Sequence, residues 1–149
     1  MEIIIKELAI NELDSMSESF FETLSNLKPS KNLSLDESKN ILSKIISQDG
    51  HILVAIDKEL NEIVGCLTVL IEQKFIRGGG KCSHIEDVST RKGHEGKGIG
   101  SMLMKEAVKL SKDLNCYKII LDCEESLVKY YEKFGFSDDG TFMRLYLDK

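Results

Sequence analysis

The stretch His84-Ile85-Glu86-Asp87-Val88, followed shortly by Glu95-Gly96-Lys97-Gly98-Ile99-Gly100-Ser101, joins adjacent carboxylates at a strand end to a glycine-rich turn that opens a helix. Glycines in alternate positions let a backbone approach an anion closely. The unpaired N–H groups of the first helical turn then point at that anion with the helix dipole behind them. Carboxylates beside such a cradle can take part in proton transfer, so the combination suits chemistry on a pyrophosphate-bearing cofactor.

Two better-known phosphate loops do not fit. A P-loop needs Ser or Thr directly after Gly-Lys, whereas Gly98 follows Lys97 and Arg91 occupies the position of the upstream glycine. The dinucleotide fingerprint fails at Leu103, where its third glycine belongs, and too little chain follows to build the usual sheet.

The flanking pattern predicts what must hold the turn. Ile99, Leu103, Ala107, Leu110 and Leu114 recur at spacings of three and four and form one apolar helix stripe ending near Asn115; Tyr117 to Leu121 then reads as a strand. Upstream, residues 2–9 read as a strand, and Asn11 or Asp14 can cap a helix carrying Leu13, Phe20, Phe21, Leu24 and Leu27, closed by Pro29. Ser34 and Glu37 form a capping-box pattern before a second helix with Ile41, Leu42, Ile45 and Ile46 on its apolar side. Residues 51–56 and 63–76 read as a hairpin, Gly78-Gly79-Gly80 as a mobile loop, and residues 82–90 as the next strand. A short helix over 126–134 stops at Gly135, and residues 141–147 make a final strand.

A chain of 149 residues fits one domain, residues 1–149, which can bury roughly 68–70% of its unfolded surface without disulfides or metals. The net charge of -5 argues against a nucleic-acid or anionic-membrane partner. No apolar run approaches a membrane span and the N-terminus lacks a basic start before an apolar centre, so the reading is a soluble, cytoplasmic protein with no membrane insertion. Cys66, Cys82, Cys116 and Cys123 lack the paired short spacing of zinc or redox sites, so they read as reduced, packed thiols and no metal is expected.

The element order β-α-α-β-β-β-α-β-α-β with Gly96-Lys97-Gly98-Ile99-Gly100 resembles the GNAT N-acetyltransferase superfamily. The runs Glu72 to Arg77, Ile85 to Val88, Asn115 to Cys123 and Tyr130 to Phe136 are similar to its glucosamine 6-phosphate N-acetyltransferase branch, and the likeness covers nearly the whole chain. The resemblance implies an α/β acyl-CoA N-acyltransferase fold, with a mixed, mostly antiparallel central sheet flanked by helices. It implies acetyl transfer from acetyl-CoA to the amine of D-glucosamine 6-phosphate, a step toward UDP-N-acetylglucosamine, by direct attack in a ternary complex and by an intertwined homodimer.

On the same basis acetyl-CoA contacts fall on Val88, Ser89, Thr90, Gly96, Lys97, Gly98, Ile99, Gly100 and Ser101. Sugar-phosphate contacts fall on Lys74, Phe75, Ile76, Arg77, Glu86, Asp87, Tyr117 and Lys118. Lys74, Arg77 and Lys118 are the cations a phosphate needs, and Glu86 with Asp87 the acceptors for hydroxyls and an ammonium. Glu86, Asp122 or a backbone carbonyl with water can take the amine proton. Tyr131 matches the tyrosine that stabilises the leaving thiolate, by hydrogen bonding or by transfer coupled to loss of the amine proton. Tyr130 reads as the core member of that pair, Cys116 and Cys123 as buried packing residues, and Asp122 alternatively as a helix cap.

Two departures stand out. The superfamily usually carries Arg or Gln where this chain has Glu95, a carboxylate that must point away from phosphate or pair with Lys97 or Arg91. The family's N-terminal substrate threonine falls nearest Lys28 or Ser30, and its C-terminal arginine near Tyr146, with Arg144 as a substitute. A different amine acceptor, or a CoA-binding sensor without turnover, are the alternatives.

Overall fold

In the computed structural model, which describes residues 1–29 and 33–148, alternating apolar runs assemble into one five-stranded sheet. Strands β1 (Ile3–Glu7), β2 (Gly50–Asp57), β3 (Glu62–Gln73) and β4 (Lys81–Thr90) lie side by side in chain order and antiparallel, while β5 (Cys116–Ile120) joins β4 in parallel. The β2–β3 hairpin turns on Asp57, whose Oδ1 accepts from Glu59 N at 2.9 Å, and on Asn61 in the left-handed region. A parallel neighbour needs a crossover. Helix α4 (Ile99–Asp113) supplies it.

Alternation along β2 and β3 sends side chains to two cores. One face holds Leu53, Leu67, Val69 and Ile85 against Ile99, Leu103, Met104 and Ala107 of α4. The other holds Ile52, Val54, Ile56 and Cys66 against Leu13 and Met16 of α1 (Leu13–Ser25) and Leu42 of α2 (Leu35–Ser47). Helices on both faces explain why these strands are buried almost throughout. Ser34 caps α2 as expected, accepting from Glu37 N at 3.1 Å while Glu37 accepts from Ser34 N at 3.2 Å. Neither Asn11 nor Asp14 caps α1: a 3-10 turn, Ile10–Glu12, runs directly into the helix, and Glu12 accepts from Ala9 N at 2.8 Å instead.

The structure departs from expectation at two further places. The glycine run is no open loop. It closes the single distorted turn α3 (Ile76–Gly79), tied by Lys74 N to Gly80 O at 2.9 Å and by the Gln73 amide to Gly79 O at 2.7 Å. Residues 141–147 form no strand and join no ladder among the described residues, although the outer edge of β5 is unpaired; Met143, Leu145 and Leu147 stay exposed.

Strand β4 carries the feature that matters most for the site. Its register on β3 runs from Thr68↔Glu86 to Cys66↔Ser89, so Asp87 and Val88 together oppose Leu67, and Asp87 takes a φ of 51°. This is a β-bulge. Pairing of β4 with β5 stops at His84↔Ile120, leaving the bulge and the residues after it free on that side.

Gly65 is where α4 comes closest to the sheet: a Cβ there would meet Ile99 Cγ2 at 2.5 Å and Leu103 Cδ1 at 3.0 Å. Gly65→Ala is expected to cost about 1–3 kcal/mol through overpacking. The urea midpoint of the variant checks this, and an unchanged midpoint would mean the helix shifts freely.

Candidate active site

Three acids, Glu86, Asp87 and Asp122, gather near the bulge, close enough for the other two to act on Glu86 through their charge. Glu86 is half-buried and Asp87 exposed. Burial, and then the charges of Asp122 and Asp87, push the Glu86 carboxyl above its ordinary value, with His84 opposing weakly. Asp122 follows β5 in an irregular segment, and Glu124 rather than Asp122 is the N-cap of the next turn, Glu125–Leu127, so the helix-cap role does not apply. Alongside, His84 Nε2 lies 2.8 Å from Glu72 Oε1, and Lys74 Nζ lies 3.2 Å from Glu72 Oε2. Those two partners hold the Glu72 carboxyl below its usual range.

A cationic group sits at the other end of β4 and β5. The Arg77 guanidinium lies 5.0 Å from the Tyr117 ring centre and Lys118 Nζ lies 5.6 Å from it. Arg77 adopts φ 58°, held there by the pinned α3 turn, and Gly80 lets the Tyr117 ring pack against that turn: a Cβ at Gly80 would meet Tyr117 Cδ1 at 2.8 Å. The Tyr117 hydroxyl is buried without a hydrogen-bond partner among the described residues. Phe75, fully exposed, and Ile76, largely exposed, ride on the same turn.

The glycine turn behaves as its spacing predicts. Gly96 and Gly98 have φ of 76° and 81°, which favour glycine, and Gly98 is the N-cap of α4. A cleft of about 250 Å³ opens over the helix start, lined by Thr90, Gly96, Gly98, Gly100, Ser101 and Tyr130 among others. Val88 and Ser89 precede it on β4. The Ser89 hydroxyl is buried and donates to Thr23 O at 2.7 Å, so it faces α1, and its backbone pairs with Cys66 of β3. Glu95 pairs with neither cation proposed for it. Arg91 is committed to Glu22, at 2.7 Å, and to Glu62.

Tyr130 is not the core member of the tyrosine pair. Tyr131, on α5 (Val128–Glu132), is the buried one, packed in the α4-side core, and burial pushes its phenol up to about 12, with Tyr130, Cys123 and Asp122 adding to the effect. Tyr130 instead lines the cleft. Its hydroxyl would lie 2.6 Å from a Cβ at Gly100, so the glycine there is what lets the phenol reach the helix start. Adjacent residues on a short helix face different ways, and the sequence offered no period long enough to orient them. Cys123 is likewise exposed rather than packed, because it lies in the irregular segment after β5.

Glu72, Cys82 and His84 bring potential ligand atoms within 4.8 Å of one another. Lys74 bonded to Glu72, and Lys118 opposite Cys82 in the sheet, set two positive charges against a divalent cation there. A larger cavity of about 340 Å³ between α1, α2 and the sheet is walled mostly by Leu, Ile and Phe side chains; it meets the bulge at Asp87 and includes Lys28. Lys28 Nζ and the Arg144 guanidinium lie 6.0 and 5.4 Å from the Tyr146 ring centre, while Ser30 lies outside the described residues.

The acid cluster carries a stability signature. With its pKa raised in the folded chain, Glu86 holds a proton that the unfolded chain would release, so its contribution to stability falls as pH rises from the ordinary carboxylate range through the raised value. Glu86→Gln, which cannot ionise, is expected to gain stability relative to the parent between about pH 4 and about pH 7. Urea midpoints at the two pH values test this, and a constant difference would contradict it.

The acetyltransferase (GNAT) family model matches residues 13–136. The glucosamine 6-phosphate N-acetyltransferase 1 of Dictyostelium discoideum is 34% identical over 145 residues, spanning 97% of this chain and 91% of that protein. The glucosamine 6-phosphate N-acetyltransferase of Trypanosoma brucei brucei is 34% identical over 144 residues, spanning 97% of each chain. The crystal structure of glucosamine-6-phosphate N-acetyltransferase from Arabidopsis thaliana superposes with a TM-score of 0.92 at 31% identity, covering 99% of this chain and 100% of that one. A glycine turn over a helix start, a bulged β4 parting from β5, and a match running through nearly the whole chain lead to one assignment: the protein belongs to the GNAT acetyltransferase family.

Proposed function

We propose that the chain transfers the acetyl group of acetyl-CoA to the amine of D-glucosamine 6-phosphate, giving N-acetyl-D-glucosamine 6-phosphate and CoA. The observation that carries this reading is the pairing of a cation group at Tyr117 with a carboxylate group at the bulge: Lys74, Arg77 and Lys118 suit a sugar phosphate, and Glu86 with Asp87 suit its hydroxyls and ammonium. The full-length relatives carrying that activity in their names support it.

Acetyl-CoA supplies the acyl thioester, and the donor set fits it. Backbone N–H groups from Gly96 to Ser101 line a cleft at a helix N-terminus and suit the pyrophosphate, while the side of Val88, Ser89 and Thr90 that β5 does not cover, where Thr90 O already accepts from Asn26, suits the amide-bearing pantetheine arm. Glu86, raised by burial and by its acidic neighbours, is poised to accept the amine proton, directly or with Asp122. For Tyr131 the energetics choose a role. A phenol near 12 cannot readily protonate a thiolate whose acid is near 8.5, since that transfer is uphill by about 5 kcal/mol. Tyr131 therefore acts as a hydrogen-bond donor to the developing sulfur charge, or gives up its proton only in concert with uptake of the amine proton.

The same reading assigns the reaction to UDP-N-acetylglucosamine biosynthesis in the cytoplasm. No helix among the described residues is long and apolar enough to cross a membrane, which is compatible with it. We also infer a homodimer, supported by the exposed Phe142, Met143, Leu145 and Leu147, which need a covering surface.

Free-thiol release from acetyl-CoA tests the reaction, with unphosphorylated glucosamine and no amine as controls. Release that requires the phosphate is expected; release with glucosamine alone would discard the phosphate clamp, and CoA binding without release would favour a sensor. Tyr131→Phe is expected to lower kcat on the order of 100-fold with little change in acetyl-CoA affinity. Lys118→Ala is expected to raise KM for the sugar phosphate roughly tenfold to a hundredfold. Parent-like kinetics in either variant would remove that residue from its role.

A further inference from the structure

Glu95 stands in the pyrophosphate turn, where a negative charge is unexpected, yet no cation among the described residues neutralises it. Its carboxylate is held by hydrogen bonds instead. Oε2 accepts from Gly93 N at 2.7 Å, and Oε1 accepts from the side-chain amide of Asn26 at 3.0 Å. The same Asn26 nitrogen donates to Thr90 O at 2.6 Å. Asn26 is the C-cap residue of α1, so one amide group ties together a helix end, the last residue of β4 and the loop leading to Gly98.

The anchor itself is firm. Thr23, three residues before Asn26, is fully buried; its hydroxyl lies 2.9 Å from Ile63 O and its carbonyl accepts from the Ser89 hydroxyl at 2.7 Å. The segment it restrains is pinned at its start, where Arg91 N donates to Val64 O at 2.8 Å and His94 N to Arg91 O at 2.9 Å, but from Glu95 to Gly98 no backbone N–H has a backbone partner among the described residues. Gly93, Gly96 and Gly98 all take positive φ, and residues 91–98 belong to no helix or strand. Such a glycine-rich stretch has much conformational freedom to lose when a ligand orders it.

We propose that Asn26 and Glu95 form a strap that pre-shapes the pyrophosphate loop: Glu95 lines the cleft beside the glycines, and its carboxylate is bound by Gly93 N and the Asn26 amide, ordering the loop where an arginine or glutamine would contact phosphate. The entropy of ordering the loop is then lost on folding rather than on binding, which raises affinity without adding any contact to the ligand. Both residues are positioning residues. The inference rests on the acetyl-CoA reading of the cleft.

Calorimetric titration with CoA separates the strap from simple charge repulsion. Glu95→Ala and Asn26→Ala are each expected to weaken CoA binding about tenfold, and the double variant by no more than either single change, because both break the same link. At saturating acetyl-CoA, kcat and the KM for the amine should stay at parent values, a split that general misfolding would not produce. Tighter or unchanged binding in Glu95→Ala would overturn the strap and leave the carboxylate as a mere repulsive charge. So would additive losses in the double variant. Failure of the parent itself to bind CoA would overturn the strap together with the acetyl-CoA reading, whereas a binding parent with indifferent variants overturns the strap alone.

Discussion

The extra residue in β4, where Asp87 and Val88 together face Leu67, bends that strand out of the plane shared with β5, and the consequences run in both directions along it. Before the bulge, β4 has neighbours on both sides and its side chains join two cores. Beyond His84 the strand keeps β3 but loses β5, so the backbone groups that point away from β3 are left without a strand partner, Thr90 O being taken by the Asn26 amide at 2.6 Å. The crossover helix α4 must return from that parting, which puts its N-terminal N–H groups beside the freed edge. Cofactor edge, anion cradle and acid cluster thus share one geometric cause.

Such an opening weakens a sheet unless something else holds it, and here buried hydroxyls do so. Ser19, Thr23 and Ser89 are all buried and all bonded: Ile63 N donates to Ser19 Oγ at 3.0 Å, Thr23 bonds the Ile63 carbonyl, and Ser89 bonds Thr23. Together they fasten α1 across β3 and β4 where the pleat is irregular. Arg91 extends the fastening to the surface by bridging Glu22 of α1 and Glu62 of β3. Apolar packing alone would tolerate sliding at an irregular pleat; directional bonds do not, and beneath α4 the buried Ser111 hydroxyl likewise donates to Ser83 Oγ at 2.8 Å.

Elements with a sustained period were legible in the chain itself. The stripe from Ile99 to Leu114, the alternation of β2 and β3, and the Ser34–Glu37 capping box each encode their structure locally, and so does the glycine turn. What escaped depends on contacts distant in sequence. The Tyr130–Tyr131 pair is oriented by Gly100 and the α4-side core, neither of which is near it in the chain. Residues 141–147 carry strand-like alternation that no ladder within the described residues receives. The partner of Glu95 is Asn26, 69 residues away, and no spacing rule connects them. The candidate site was readable as types of residue, then, but not as the set of bonds that orients them.

The cation group around Tyr117 also has a kinetic meaning. The chain as a whole carries a charge of -5, so an anionic small molecule diffusing toward it meets a repulsive far field. At physiological ionic strength that field is screened beyond about 8 Å, and only inside this distance do Lys74, Arg77 and Lys118 reverse its sign. Capture is therefore a short-range event. With these three cations as the proposed phosphate site, the encounter rate would gain little from long-range guidance, and discrimination among anions would fall to dissociation, where the time a phosphate stays against the ammonium and guanidinium groups decides whether it is still present when the reaction occurs.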